Sequence, residues 1–322
     1  MSNEQWAISN DQLAMGSGHS RKTVRRKAKG LKRYALCAMP VICSPNTLFF
    51  TRNTQHFFMS SNWVEEIQQA RKDKLIGREI LFFDRVDSTN RVARDQALQG
   101  AKEGMIILAE SQSQGKGRLG RAWESPPGVN LYISVILKPS IPPAVGPKIT
   151  LLTGVAIANA LARTTGLNTR IKWPNDVFIH GKKVAGILSE MEAEGPKISF
   201  VIVGVGVNVN WPIEEIPQNL RETATSLKAE GGREFSRAEV AGEICEELER
   251  GYALFLKEGF TLRLREEWNR LSWINQKWVT ITSMDKKYEG QVQGLDTDGA
   301  LLLLDREGNI QRFIAGDVSL RV

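Results

Sequence analysis

The chain has 322 residues, with 43 Lys and Arg against 36 Asp and Glu and a formal net charge of +7. Its three histidines (His19, His56, His180) and three cysteines (Cys37, Cys43, Cys245) show no metal spacing and no disulfide framework; this argues against a His/Cys metal enzyme and a Ser-His-Asp hydrolase and suits a reducing, cytoplasmic compartment. The positive excess lies in residues 1–58, which hold 9 Lys and Arg and 2 acids, whereas residues 59–322 hold 34 of each, so the body has no broad field for nucleic acid, and no apolar run approaches the roughly 20 residues that cross a membrane.

Residues 1–58 read as a basic extension, disordered or not native to the protein. A translation start at Met59, a targeting segment, a nucleic-acid-binding arm and a degenerate DNA-binding domain all stay open there. From Ser60 the pattern Ser-Ser-Asn-Trp-Val-Glu-Glu-Ile resembles a capped helix. Strands are predicted over 80–83, 105–109 and 130–137, and a helix over 88–98. The stretch 148–164 is a long helix with small and apolar residues at helical spacing. A strand over 170–173 leads to a hairpin whose arms are 177–180 and 184–191, with its turn at His180-Gly-Lys-Lys183. The run 200–210 alternates Gly with Val and reads as a buried strand with one bare face. Residues 211–225, with Pro212 and Pro217, read as a loop. Helices follow over 237–257 and 262–271. The period then shortens to strands over 278–282, 288–295, 300–304, 311–314 and 318–322. The predicted fold is α+β: a mixed sheet with helices over 59–272, then a small SH3-like barrel over 273–322.

Two motifs carry the chemistry. The first is Gly115-Lys-Gly-Arg-Leu-Gly-Arg121, followed by Trp123 and Pro126-Pro127. Its glycines 115, 117 and 120 permit positive φ and close approach of backbone to a ligand. Its cations Lys116, Arg118 and Arg121 suit phosphate or carboxylate. It is not a Walker A loop: Arg121-Ala122 stand where Lys and Ser/Thr are required. Nor does its Gly-x-Gly-x-x-Gly open a helix, as a dinucleotide fold demands. The second is Lys172-Trp-Pro-Asn-Asp176 with Lys183 and Gly186 just after. Lys183 opens a strand, where it can be held rigidly. Gly186, along the same face, leaves room for a ligand. Asn175 and Asp176 suit a turn cap, and an Asp among cations equally suits a magnesium ion carried by ATP.

Taken with Asp87-Ser-Thr-Asn90, Gln112, Asn130-Leu-Tyr132, Ala185-Gly-Ile-Leu188, Gly204-Val-Gly-Val-Asn208 and Ser319-Leu-Arg321, these motifs resemble those of the biotin–protein ligases, in order, from about residue 80 to the C-terminus. The resemblance implies a two-step ligase. Biotin's carboxylate attacks the α-phosphate of ATP to give biotinyl-5′-AMP. A lysine of a biotin carboxyl carrier domain, as in acetyl-CoA carboxylase, then takes the biotin. It further implies that Lys183 and Arg118 are catalytic. The biotin set is Ser88, Thr89, Asn90, Gln112, Gly115, Lys116, Gly117, Arg118, Lys183, Gly186, Leu188, Gly204 and Gly206. The ATP set is Arg118, Arg121, Trp123, Lys172, Asn175, Asp176, Asn208 and Arg321, with Asp176 as a magnesium ligand and 211–225 ordering over the adenine. No tightly bound prosthetic group is expected. Monomer and homodimer stay open. Some members carry a winged helix and repress genes, but residues 1–58 lack the helices, turn and wing of that module, so no sequence-specific DNA binding is expected. A lipoate or octanoate ligase is the neighbouring alternative, and the Ser88-Thr89-Asn90 and Gln112 polar set argues against it. A nucleic-acid-binding regulator acting through the basic arm is the alternative of another class.

Overall fold

The structure, a computed structural model, describes residues 62–320. The basic extension, the Met59 start and Arg321 lie outside the described residues. Strands β1 (Ile80–Val86), β2 (Ile106–Gln112), β3 (Leu131–Leu137), β4 (Thr169–Lys172), β5 (Asp176–Ile179), β6 (Lys182–Glu194) and β7 (Lys197–Val207) form one sheet in the order β1-β2-β3-β7-β6-β5-β4. Only β1 and β2 run parallel. Helix α1 (Asn62–Arg71) precedes the sheet. A parallel pair needs a crossover, and helix α2 (Thr89–Leu98) supplies it.

Alternation along the central strands sorts the two faces. Leu131, Ile133, Val135 and Leu137 of β3 and Val201, Val203, Val205 and Val207 of β7 share one buried cluster with helices α3 (Lys148–Thr165) and α5 (Arg237–Glu258). On the other face Ile107, Ile136, Phe200 and Ile202 pack under Ala93 and Ala97 of α2. Helix α2 is only 10 residues long, so it leaves part of that face uncovered. The uncovered positions are Tyr132 and Ser134 on β3 and Gly204 and Gly206 on β7. With Gly186 and Leu188 of β6 they become the floor of the site.

Helix α3 ends at Gly166 in the left-handed region (φ 74°), a C-cap that favours glycine. The stretch Pro143–Thr165 is by length and composition long and apolar enough to cross a membrane, but its α3 part is a core helix with 11 buried residues between the sheet and α5. Truncating one of its leucines to Ala costs about 2–5 kcal/mol.

Three further differences have local causes. The β6–β7 hairpin is longer than predicted, because its solvent-facing ends (Glu192, Glu194, Lys197) lack an apolar alternation to read. Strand β7 stops at Val207, where Asn208 N turns to bond Val184 O (2.9 Å). Short helix α4 (Leu227–Gly231), capped by Ser226 Oγ accepting from Ala229 N, is too short to show a period.

After α6 (Leu262–Leu271) come β8 (Trp278–Ser283), β9 (Lys286–Leu295), β10 (Leu301–Leu304), β11 (Ile310–Phe313) and β12 (Asp317–Leu320). They pair antiparallel in the SH3-like order β11-β10-β9-β8-β12. Asp296 and Asp305 close the two turns read from sequence, accepting from Asp298 N and Ala300 N, and from Glu307 N and Asn309 N. The link from α6 into this small sheet is tied to the large one. Trp273 N donates to Ile171 O (2.7 Å), and the Trp273 ring stacks on Phe178 at 5.1 Å.

Candidate active site

The site starts with the bare floor. Gly204 of β7 lies opposite Ser134 on β3 and Leu188 on β6. A Cβ there would stand 2.0 Å from Asn90 Oδ1, so Gly204 is what lets the start of α2 descend onto the sheet. Ser88, Thr89 and Asn90 are all buried. Ser88 takes the N-cap backbone position, but its side chain makes no cap bond.

The polar groups around the trio are locked in one polarity. Asn90 Nδ2 donates to Leu188 O (3.1 Å) and to Glu190 Oε2 (2.7 Å). Gln112 Nε2 donates to Ser125 Oγ (3.0 Å), while Gln112 Oε1 accepts from Thr89 N (2.9 Å). Ser134 Oγ lies 2.8 Å from Thr89 Oγ1 and 2.7 Å from Asn90 Oδ1. A hydroxyl has one proton, so the consistent order has Thr89 donating to Ser134 and Ser134 donating to Asn90. Both N–H groups of Asn90 are thus spent on the protein, as is one of the two on Gln112. The carbonyl oxygens face the hydroxyls, an environment suited to a ligand with N–H donors.

Ser134, Tyr132 and Glu190 were absent from the sequence-derived site. Ser134 carried a readable signal: it is the lone hydroxyl within an otherwise apolar strand, apart from Tyr132. Burial pushes the Tyr132 phenol well above its ordinary range, and its hydroxyl donates to Pro126 O (2.8 Å).

Of the loop glycines only Gly120 has positive φ (72°); Leu119 shares the left-handed region (φ 56°), and Gly117 is extended. Gly115 serves packing, since a Cβ there would meet Trp123 O at 2.4 Å, and it does not line the cavity. Lys116, Gly117 and Arg118 do. Arg118 Nη1 donates to Asn175 Oδ1 (3.2 Å), and its guanidinium also reaches Gly316 O (3.4 Å). Arg121 pairs with Asp317, whose other oxygen is 3.7 Å from Arg118. Nothing in the local sequence singled out Asp317, which comes from the far end of the chain.

Lys183 sits three residues before Gly186, a spacing that puts two residues on opposite faces of a regular strand. The β5–β6 register shifts between Val177 and Phe178, opposite Val184. This bulge brings Lys183 back to the face of Gly186: a Cβ on Gly186 would be 3.0 Å from Lys183 Nζ. The Lys183 ammonium pairs with Asp176 Oδ1 (2.7 Å) and lies 5.1 Å from the Trp123 ring centroid. Its backbone is bonded on both sides by the loop, Lys183 N to Thr223 O (2.8 Å) and Thr225 N to Lys183 O (2.9 Å).

Two cavities meet here. The first is lined by the trio, Gln112, Lys116, Arg118, Asn175 and the glycine floor. The second is lined by Arg121, Lys172, Asp176, Asn208, Trp211 and Leu220, among others. Burial lowers the pKa of Lys172, with Lys183 adding to the effect against the pull of Asp176. Asn208 Nδ2 donates to Thr225 O (2.9 Å), leaving its buried Oδ1 without a partner. A buried acceptor without a donor costs free energy, and an amino group on a ligand relieves it. Asn175 belongs to the first cavity rather than the second, bridging Arg118 and Ile187 O (2.8 Å).

Comparison with known proteins agrees with this geometry. Residues 82–208 match the model of the biotin/lipoate A/B protein ligase family, and residues 277–321 match the biotin protein ligase C-terminal domain. The bifunctional ligase/repressor BirA of Bacillus spizizenii is 34% identical over 255 residues, covering 79% of this chain and 78% of that one. The biotin–[acetyl-CoA-carboxylase] ligase of Paracoccus denitrificans is 31% identical over 223 residues, 68% of this chain and 91% of that one. The solved structure of the biotin protein ligase from Aquifex aeolicus in complex with biotin and ATP gives a TM-score of 0.64 at 29% identity, over 76% of this chain and 99% of that chain. On this sequence likeness, with the matching fold, the chain belongs to the biotin protein ligase family.

Proposed function

We propose that the protein activates biotin with ATP as biotinyl-5′-AMP and transfers the biotin to a lysine of a biotin carboxyl carrier domain. The observation that supports this best is the pair of cavities meeting at Lys183. One presents hydrogen-bond acceptors and hydroxyls to a ring with two N–H donors and a carbonyl. The other presents cations and the orphan acceptor of Asn208 to a nucleotide. Ser88, Thr89, Asn90, Gln112 and the floor hold the ureido ring and chain of biotin. Lys172, Arg121 and Asn208 hold the nucleotide.

Two anions must approach each other in the first step, and Lys183 neutralises the charge that grows as oxygen attacks phosphorus. Arg118 and the loop exclude water from the mixed anhydride. Magnesium arrives on the phosphates of the substrate. The described residues hold no cluster of three acids, histidines or cysteines, so Asp176 supplies one carboxylate to such an ion rather than part of a protein cage. To do so it parts from Lys183.

We assign residues 59–272 to catalysis and 273–322 to the SH3-like domain, and put the enzyme in the cytoplasm, where ATP and carboxylases meet. Arg321, outside the described residues, is kept as a nucleotide contact. Ligation without operator binding is also proposed, on the missing helix-turn-helix pattern in residues 1–58. The Bacillus relative is named for both activities, so a footprint on a biotin operator at nanomolar protein overturns that part. The main test is ATP–pyrophosphate exchange with magnesium, comparing biotin with lipoate and octanoate, with Lys183→Ala as control. Biotin-dependent, Lys183-dependent exchange is expected. Exchange with lipoate alone overturns the pocket assignment.

A further inference from the structure

The two cavities share two wall residues, Lys183 and Trp123. Trp123 is the more unusual. Its ring lies directly on the glycine floor: a Cβ on Gly206 would stand 2.5 Å from Cε2 and 2.6 Å from Nε1, and one on Gly186 2.9 Å from Cζ3. Its indole N–H is buried and has no hydrogen-bond partner. Its backbone is fixed by Trp123 N donating to Gly115 O (2.9 Å) and by Ser125 Oγ donating to Trp123 O (3.0 Å).

These facts conflict with a simple wall. A wall packed on apolar surface needs no indole nitrogen, and a buried unpaired donor costs roughly 1–3 kcal/mol. A ligand that runs from one cavity to the other must cross Gly186 and Gly206, the ground the ring now covers. Resting on the reading above, we propose that Trp123 is a gate between the acid and nucleotide cavities, which lifts from Gly206 when biotinyl-5′-AMP spans both and donates its N–H to an oxygen at the acyl–phosphate junction. The orphan donor in the closed position then has a physical purpose: the closed state is left unsatisfied, and the partner arrives with the ligand. Lys183, 5.1 Å from the ring centroid, faces the same junction, so one cation and one neutral donor converge on the developing charge. No bond is made or broken by Trp123 itself.

The test uses the full chain, labelled with 15N at its indoles, and an acyl-sulfamate analogue of biotinyl-5′-AMP that keeps both ends and cannot transfer. The indole resonance missing from Trp123→Phe identifies Trp123. Adding the analogue is expected to move that proton downfield by more than any other indole, while biotin alone leaves it in place. In pyrophosphate exchange, Trp123→Phe keeps the ring but not the donor. It should hold the KM for biotin within about twofold and lower kcat by roughly tenfold or more, as loss of one hydrogen bond to a charged group implies. A wild type that binds the analogue with this resonance unmoved, or a Trp123→Phe enzyme with wild-type kcat, overturns the gate alone. A wild type that binds neither biotin nor the analogue overturns the functional reading beneath it.

Discussion

Gly204→Ala is the sharpest single test of how the biotin cavity is built. Gly204 lies in a regular strand, with no positive φ to lose, so the backbone accepts alanine. The new methyl, however, falls 2.0 Å from Asn90 Oδ1, 2.8 Å from its Cγ and 2.9 Å from its Nδ2. Asn90 is 5% exposed and held by Ser134, Leu188 O and Glu190, so it cannot step aside without breaking bonds. Each is worth about 1 kcal/mol, and the one to exposed Glu190 less, so a loss of about 1–3 kcal/mol is expected. For a chain of this size that lowers Tm by about 3–8 °C. With Asn90 displaced, the one acceptor position that its Oδ1 keeps for biotin is lost, which weakens binding by roughly 3–10-fold. Because Asn90 grips the ring equally before and during reaction, KM should rise while kcat at saturation holds. Calorimetric titration with biotin alone and a thermal melt measure both effects. Gly206→Ala is the contrast: its methyl meets Trp123 rather than Asn90, so the polar grip on the ring is kept and adenylation should suffer more than biotin affinity. A Gly204→Ala protein with wild-type biotin affinity refutes the assignment of Asn90 to the ring.

Lys183→Ala should slow biotin-dependent pyrophosphate exchange by about a hundredfold or more at unchanged circular dichroism, because it removes a charge aimed at the transition state; near-normal turnover would show that Lys172 holds that role. Arg118→Gly should release biotinyl-5′-AMP, read as less selective labelling of bystander lysines at a rate independent of the carrier. Asp317→Asn should free the basic loop from the small sheet, since Asp317 pairs with both Arg118 and Arg121. Trypsin should then cut after these arginines several-fold faster than in the wild type, and unchanged cutting refutes the tether.

The sheet and the main helices were legible because apolar residues repeat at two clear periods, and the glycine–valine run of β7 announced a strand with one bare face. The cationic loop was legible as chemistry but not as geometry. Its glycines suggested positive φ, whereas Gly115 is needed because Trp123 O passes close by. Contacts between distant segments left no local mark. Glu190 on Asn90, Asp317 on the arginines and Trp273 on Phe178 join residues about 100, 196 and 95 positions apart, and no pattern within a segment encodes them. The bulge opposite Val184 is the clearest example. The sequence reading puts Lys183 and Gly186 on one face, which a regular strand does not allow for residues three apart, and only the register shift makes it so.

The backbone around Lys183 ties the proposed catalytic lysine to the proposed nucleotide cavity. Strand β7 ends at Val207, opposite Ala185, so it does not reach Lys183. The loop takes the Lys183 N–H and C=O instead, through Thr223 O and Thr225 N. The same loop brings Leu220, Thr223 and Ala224 to the nucleotide cavity, and Thr225 O holds Asn208 in place. Lys183 is therefore positioned by a segment that lines the second cavity, the one proposed for the nucleotide. Ordering that segment around a bound base also stiffens the backbone of the catalytic lysine. A lysine bonded only to neighbouring strands could be equally rigid, but it would be deaf to whether the second cavity is filled.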